Sequence, residues 1–233
     1  MRKIDEVISV SNQGVSRPYI CRDDGGGMRW CKGNHTGIRA VICEWICANI
    51  ARALNLPVPD FAIFKLIYED FNGWRCNYGK DNAPDLVTSA NPYVFGSLNV
   101  DNVKDVYDPQ LELRHIDANV LAKIYMFDRL IRNTDRTDVN SNLLVNGSVY
   151  IIDHNNAFDL EFNDDVFAKE HILRDYFRAA TDEFKVKFLE QIEREITSEL
   201  IFRKWSEMPD VWMEIGEEIL PPETIIKTLG CRY

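Results

Sequence analysis

Short runs of apolar residues open this chain, and longer helical stripes close it. Residues 4–10 form a β-like run, followed by the polar segment SNQGVSR at 11–17, and residues 18–22 read as a second strand. The sequence Asp23-Asp24-Gly25-Gly26-Gly27 is turn chemistry, because glycine supplies the positive φ that tight hairpins need. Residues 28–32 return as a third strand. From 39 to 54 the period changes to helical, with Val41, Trp45, Ala48 and Arg52 near one face and Ile42, Ile46, Ile50 and Ala53 on a neighbouring stripe. Pro57 and Pro59 stop that helix. A strand over 61–68, a long loop or insertion over 69–91 and a strand over 93–98 follow. A second helix covers 116–131, built on Val120, Leu121, Ile124, Phe127, Leu130 and Ile131. Beyond residue 160 the chain is helix-rich, interrupted at Pro209 and Pro221-Pro222. Strands and one helix first, then mostly helices, predict an α+β architecture with a small mixed part and a helical part.

Within the second part lies NTDRTDVNSNLLVNGSVYIIDHNNAF, residues 133–158. Asn146-Gly147 sits between LLV and SVYII, and such a pair between apolar, β-branched runs predicts a hairpin with a two-residue type I′ loop. That register sets Val145 against Ser148, Leu144 against Val149 and, carried outward, Asn140 against Asp153. Directly opposed residues have Cα atoms about 4.5–5.5 Å apart and side chains on one face. An amide oxygen and a carboxylate would then converge at the open end of the hairpin, and oxygen ligands of that kind suit magnesium. Asp135 stands five residues before Asn140, just past the second helix. A loop aspartate, an asparagine five later and a hairpin returning to a second aspartate is the protein-kinase arrangement. In it the first aspartate orients or deprotonates the acceptor hydroxyl, and the other two hold magnesium on ATP phosphates. Asn142 lies on the same face as Asn140, where it either assists a ligand or supports the loop. The bland alternative is that all three are turn and cap residues.

A kinase-like site needs a strand lysine for the phosphates and a helical glutamate to hold it. Lys32 ends the third strand and Glu44 lies in the first helix, among Ile42, Cys43, Trp45 and Ile46. The loop covering the phosphates falls to SNQGVSR, whose backbone N–H groups, with Ser11, Ser16 or Arg17, would contact them; Ser16 is the residue assigned to cofactor binding.

Composition narrows the field. At 233 residues the chain can bury a core without disulfides, and 45% hydrophobic with 27% charged residues is ordinary for a globular protein. A net charge of −10 argues against non-specific nucleic-acid binding, which depends on Lys and Arg displacing counterions from phosphates. No segment reaches the roughly 18 apolar residues of a membrane span, and the start lacks a signal-peptide pattern. The six cysteines show no C-x-x-C pair; Cys43 and Cys47 read either as buried thiols or as the edge of a metal site. A cytoplasmic location with reduced thiols is expected.

The segments YICR to WCKG, EWICANIARALNLPVPDF, FDRLIRNTDRTDVNSNLLV and YIIDHNNAF resemble the HipA-like kinases, in their short single-chain branch. The resemblance implies a two-lobed protein-kinase-like fold. Residues 1–100 would form a small, β-rich, nucleotide-binding lobe with one helix. Residues 101–233 would form a mostly helical lobe with the catalytic loop and metal-binding hairpin. It implies ATP and Mg²⁺ as cofactors and Ser/Thr phosphorylation of a protein substrate, with room for a regulatory protein partner. By that resemblance Asp135 is catalytic, Asn140 and Asp153 are metal ligands, and Lys32 and Glu44 are the ATP-binding ion pair. Thr137 stands where many relatives carry histidine. A nucleotide-binding pseudokinase, or an interaction module acting through protein contacts, is the competing expectation.

Overall fold

The structure is a computed structural model that describes residues 2–11, 16–66, 86–106, 108–214 and 220–231. Its contacts divide the chain into two compact units. One holds residues 1–45, 59–100 and 207–219; the other holds 46–58, 101–206 and 220–233.

The first unit is built on strands β1 (Arg2–Val10), β2 (Tyr19–Asp23), β3 (Met28–Lys32), β4 (Phe61–Lys65) and β5 (Tyr93–Leu98). They close into a barrel in the order β1-β2-β3-β5-β4, antiparallel except where β1 meets β4. Closure gives each of these five strands a hydrogen-bonded neighbour on both sides. Ile4, Val7, Tyr19, Cys21, Cys31, Phe64 and Val94 pack inside, Ile4 and Val7 on either side of a register shift in β1, joined by Leu66, Leu86 and Val87. Gly96 is required on β5 because a Cβ there would lie 2.8 Å from the Phe64 ring. The β2–β3 turn is the expected one, and Asp23 organises it: its Oδ1 accepts from the N–H groups of Gly25 at 2.9 Å and Gly27 at 2.8 Å. Burial alone would raise the Asp23 carboxyl, but Arg29 and those two amides hold it below its ordinary value. The strand expected over 61–68 is formed over Phe61–Lys65, and residues 67–85, the end of that expectation and most of the expected insertion with Cys76, lie outside the described residues.

Helix α1 (Ile38–Ala53) is continuous, and the division between units falls within it, after Trp45. It is buried from Val41 through Ala51, which fits a helix apolar on most of its circumference. The thiols of Cys43 and Cys47 are buried, and burial pushes that of Cys43 up to about 12.

The second unit carries a small sheet, β6 (Lys104–Asp105), β7 (Leu143–Val145) and β8 (Val149–Ile151), in that order. Its helices are α2 (Pro109–Glu112), α3 (Ala118–Leu130), α4 (Asp164–Glu170), α5 (Arg174–Ala179), α6 (Asp182–Glu195) and α7 (Ser198–Ser206). Helix α8 (Asp210–Glu214) is counted with the first unit, and α9 (Pro222–Leu229) with the second. Side-chain caps start several of these helices: Asp117 accepts from Asn119 N–H, Asn163 from Asp165 and Val166, and Thr181 from Phe184. α3 buries Leu121, Ala122, Ile124, Tyr125, Met126 and Phe127, with Asp128 among them. Tyr125 stacks on Phe177 of α5 with ring centroids 4.3 Å apart. Among the described residues no helix is long and apolar enough to cross a membrane.

The hairpin departs from its predicted register. Leu143 pairs with Ile151, Leu144 with Tyr150 and Val145 with Val149, so the loop holds three residues, 146–148, and not two. A type I′ turn needs positive φ at both central positions. Gly147 has φ +95°, whereas Asn146 is not among the residues with positive φ. Asn146 instead donates from Nδ2 to the carbonyl of Asp101 at 3.1 Å, beside the β6–β7 pairing. The one-residue shift removes Asn140 from its position opposite Asp153.

Candidate active site

In the first unit, Lys32 is the last residue of β3, paired with Phe95 of β5. Its Nζ lies 2.5 Å from Oε1 of Glu44 on α1, with 9% and 4% of the two side chains exposed. The expected pair is therefore formed. Desolvating two charges costs several kcal/mol per ion, so a buried pair is weak support for stability and a stronger pointer to function. Gly33 follows, where a Cβ would come within 2.1 Å of the Leu86 carbonyl. That glycine lets the Leu86 carbonyl approach the backbone just after Lys32, where it accepts from Asn34 N–H at 2.9 Å. Ser16 stands in a turn before β2, half-buried, and Ser11 N–H to Pro18 O at 2.9 Å closes the base of the loop. Residues 12–15 of the expected phosphate-covering loop lie outside the described residues.

In the second unit, α3 ends at Leu130 and the chain turns through Arg132, at φ +53°, into Asn133. What fixes the next ten residues is a carboxylate that sequence reasoning passed over. Asp128, fully buried on α3, accepts from Arg136 Nε at 2.6 Å and Nη2 at 3.4 Å, and from Asn133 Nδ2 at 3.1 Å. His171 completes the set, with Nε2 3.0 Å from Asp128 Oδ2. Its Nδ1 accepts from Leu173 N–H at 3.1 Å, which assigns the proton of the neutral ring to Nε2. Burial would raise the Asp128 carboxyl, but Arg136 and His171 hold it far below its ordinary value. Burial lowers His171 and outweighs the contrary pull of Asp128.

Arg136 carries this anchor into the loop. Its Nη1 donates to the carbonyls of Ser141, at 3.3 Å, and Asn142. Its own carbonyl accepts from Ile172 N–H at 3.1 Å, and Thr137 bridges to His171. Asp135, half-buried beside Arg136, is met by Asn142, whose Nδ2 lies 3.3 Å from both Oδ2 and the main-chain carbonyl of Asp135. Asn140 is elsewhere: it is exposed, in a turn closed by Thr137 N–H to Asn140 O at 2.9 Å and Asn140 N–H to Thr137 O at 3.3 Å. Asp153 is half-buried at φ +58°, immediately after Ile152, whose N–H donates to the Asn142 carbonyl at 3.1 Å. The structure thus brings Asn142, and not Asn140, to Asp135 and to the rung beside Asp153.

Carboxylate and amide oxygens at that end of the hairpin are hard donors of the kind magnesium takes. The buried ammonium of Lys32 is the kind of group that meets phosphate oxygens. The residues present fit a divalent cation and a polyphosphate. Asp128, Arg136 and His171 gave little signal in advance, beyond the charged pair Asp128-Arg129 inside the apolar run YMFDRLI.

The family model described as HipA-like kinase matches residues 4–229. No match was found among the curated proteins. Among solved structures, the chain is similar to the Helicobacter pylori proinflammatory kinase CtkA, with a TM-score of 0.56 at 11% identity, over 97% of this chain and 91% of that one. It is also similar to the Golgi casein kinase, with a TM-score of 0.54 at 15% identity, over 99% and 70%. The same kinase with Mn/ADP bound gives 0.53 at 13% identity, over 99% and 71%. At such identities the likeness is one of fold, and the fold is protein-kinase-like.

Proposed function

The chain belongs to the HipA-like kinase family, and from that premise we propose that it is an ATP- and Mg²⁺-dependent Ser/Thr protein kinase. The observation that carries the reading is the buried Lys32–Glu44 pair at 2.5 Å. A lysine and glutamate joined from strand to helix serve an ATP site by fixing an ammonium for the α- and β-phosphates. Asp135 would orient the acceptor hydroxyl and take its proton as the oxygen attacks the γ-phosphorus and the bond to the β-phosphate oxygen breaks, leaving ADP. Asp153 and an asparagine of the 140–142 segment would hold the metal, a part that the sequence alone gave to Asn140. Magnesium, when bound, neutralises the charge that gathers on the phosphate oxygens. That a kinase of similar fold has been solved with Mn/ADP supports a metal–nucleotide ligand. Two lobes, with Ser16 and its loop over the phosphates of the strand-rich one, belong to the same reading. The free thiols of Cys21, Cys31 and Cys231 support action in a reducing compartment such as the cytoplasm, on a protein substrate.

The test is thermal stability with ATP and Mg²⁺, followed by Mg²⁺-dependent ATP turnover, for wild type and Asp135→Ala. A ligand at a hundredfold its dissociation constant stabilises by about 2.7 kcal/mol. Both proteins should gain that stabilisation, and turnover should fall at least about a hundredfold in the variant, the range of a lost general base. Equal turnover by Asp135→Ala overturns the role of Asp135. Stabilisation of both with turnover by neither leaves a nucleotide-binding pseudokinase.

A further inference from the structure

We propose that Asn142 is the asparagine that holds the metal, in place of Asn140. The inference rests on the kinase reading above and concerns which residue of this chain performs one of its parts.

Three observations converge on Asn142. Its side chain reaches Asp135, with Nδ2 3.3 Å from Oδ2. Its backbone forms the last rung of the hairpin, accepting from Ile152 N–H at 3.1 Å, so its neighbour across the ladder directly precedes Asp153. Both Asn142, at φ +45°, and Asp153, at φ +58°, adopt the left-handed conformation. For non-glycine residues that conformation is uncommon, persists where surroundings enforce it, and clusters at active and ligand sites. Here the enforcing group is visible: Arg136, clamped by buried Asp128, holds the carbonyls of Ser141 and Asn142. With Nδ2 engaged by Asp135, the amide oxygen is the end of the side chain left to face a cation; no described residue donates to it. Asn140 has none of these features. It is exposed, and among the described residues its hydrogen bonds are the two backbone bonds of its own turn.

The left-handed backbone guides the choice of variant. Glycine tolerates φ near +45°, so Asn142→Gly removes the amide without adding backbone strain. Asn140→Gly is the matched control. The readout is ADP binding by calorimetry with and without Mn²⁺, together with the unfolding temperature of each ligand-free protein. Asn142→Gly should weaken Mn²⁺-dependent ADP binding by at least about tenfold, the scale on which metal sites respond to lost partners, and leave metal-free ADP binding within about twofold. Asn140→Gly should leave both within about twofold of wild type by the same scale. Asn142→Asp separates a ligand from a loop support and serves if the glycine variant does not fold. It keeps an oxygen and loses the donor to Asp135, so it should retain Mn²⁺-dependent binding. Loss of that binding in Asn140→Gly with retention in Asn142→Gly overturns the proposal, as does its loss in Asn142→Asp. If wild type shows no Mn²⁺-dependent ADP binding, the kinase reading fails first and takes this inference with it.

Discussion

Lys32 and Glu44 are held by regular elements, whereas Asp135 and Asn142 are held by an irregular loop. A strand end and a helix face bring the first two together, and their 2.5 Å contact is direct. Around the second pair the backbone takes left-handed φ at Arg132, Asn142, Asp153 and Phe158. The loop that carries Asn142 rests, through Arg136, on Asp128, a side chain of α3 whose carboxylate binds Arg136, Asn133 and His171 at once. Regular elements distribute a site's support over many hydrogen bonds, while a loop can hang from one group. The first region should therefore lose function without losing stability, and the second should lose both together.

The largest effect expected is that of Asp128→Ala. It strands the guanidinium of Arg136, itself fully buried, without its counter-charge. Breaking a buried pair by removing one partner costs about 3–5 kcal/mol. Urea denaturation should show a loss of that size, with the metal-dependent gain from ATP lost in whatever protein folds. A cost below about 1 kcal/mol, typical of an exposed pair, would show that the loop does not depend on Asp128.

The opposite behaviour is expected of the double variant Lys32→Met/Glu44→Leu. Replacing both members of a buried ion pair with apolar groups of similar volume is often neutral or stabilising by about 1–4 kcal/mol. The ligand-free protein should thus keep or gain stability while the gain from Mg²⁺–ATP, about 2.7 kcal/mol at a hundredfold excess, disappears. A variant that loses stability and keeps the nucleotide response would reverse the contrast between the two regions.

That contrast also explains what the sequence disclosed. Strand and helix periods located β3 and α1 to within a residue, and with them Lys32 and Glu44. The Asn146-Gly147 signal located the hairpin but not its register, because register was decided by a tertiary bond from Asn146 to Asp101 and by pairing with β6. Local turn propensity carries no information about a partner some forty residues away. One residue of slip exchanges the faces of a strand, and it was enough to make Asn140 look like the partner of Asp153. Barrel closure was likewise invisible, since it depends on β1 meeting β4 through Arg2 with Phe64 and Lys3 with Lys65. The anchor was the least legible part: an aspartate, an arginine and a histidine far apart in sequence share no period or motif.

The smallest effect expected is a pH dependence, and it isolates one member of that anchor. His171 is buried and neutral, and its pKa is lowered by burial despite the bond to Asp128, with Arg136 and Arg174 adding to the lowering. Tyr125 and Phe167 pack on its ring and contribute no charge. An unfolded histidine titrates near pH 6.5. As pH falls below that value the unfolded chain takes up a proton that the folded ring refuses, so stability declines, by at most about 1.4 kcal/mol per pH unit for one proton. Asp128 acts lower: its depressed pKa contributes stability present above the ordinary aspartate value of about 3.9 and lost as pH falls beneath it. Between about pH 6.5 and 4.5 the decline therefore belongs to His171 within this anchor. His171→Gln keeps a donor for Asp128 and cannot titrate, so its stability should fall less steeply over that interval than the wild type's in the same denaturation series. Identical slopes in the two proteins would mean that the ring accepts its proton inside the fold, and that Asp128 binds a charged partner there.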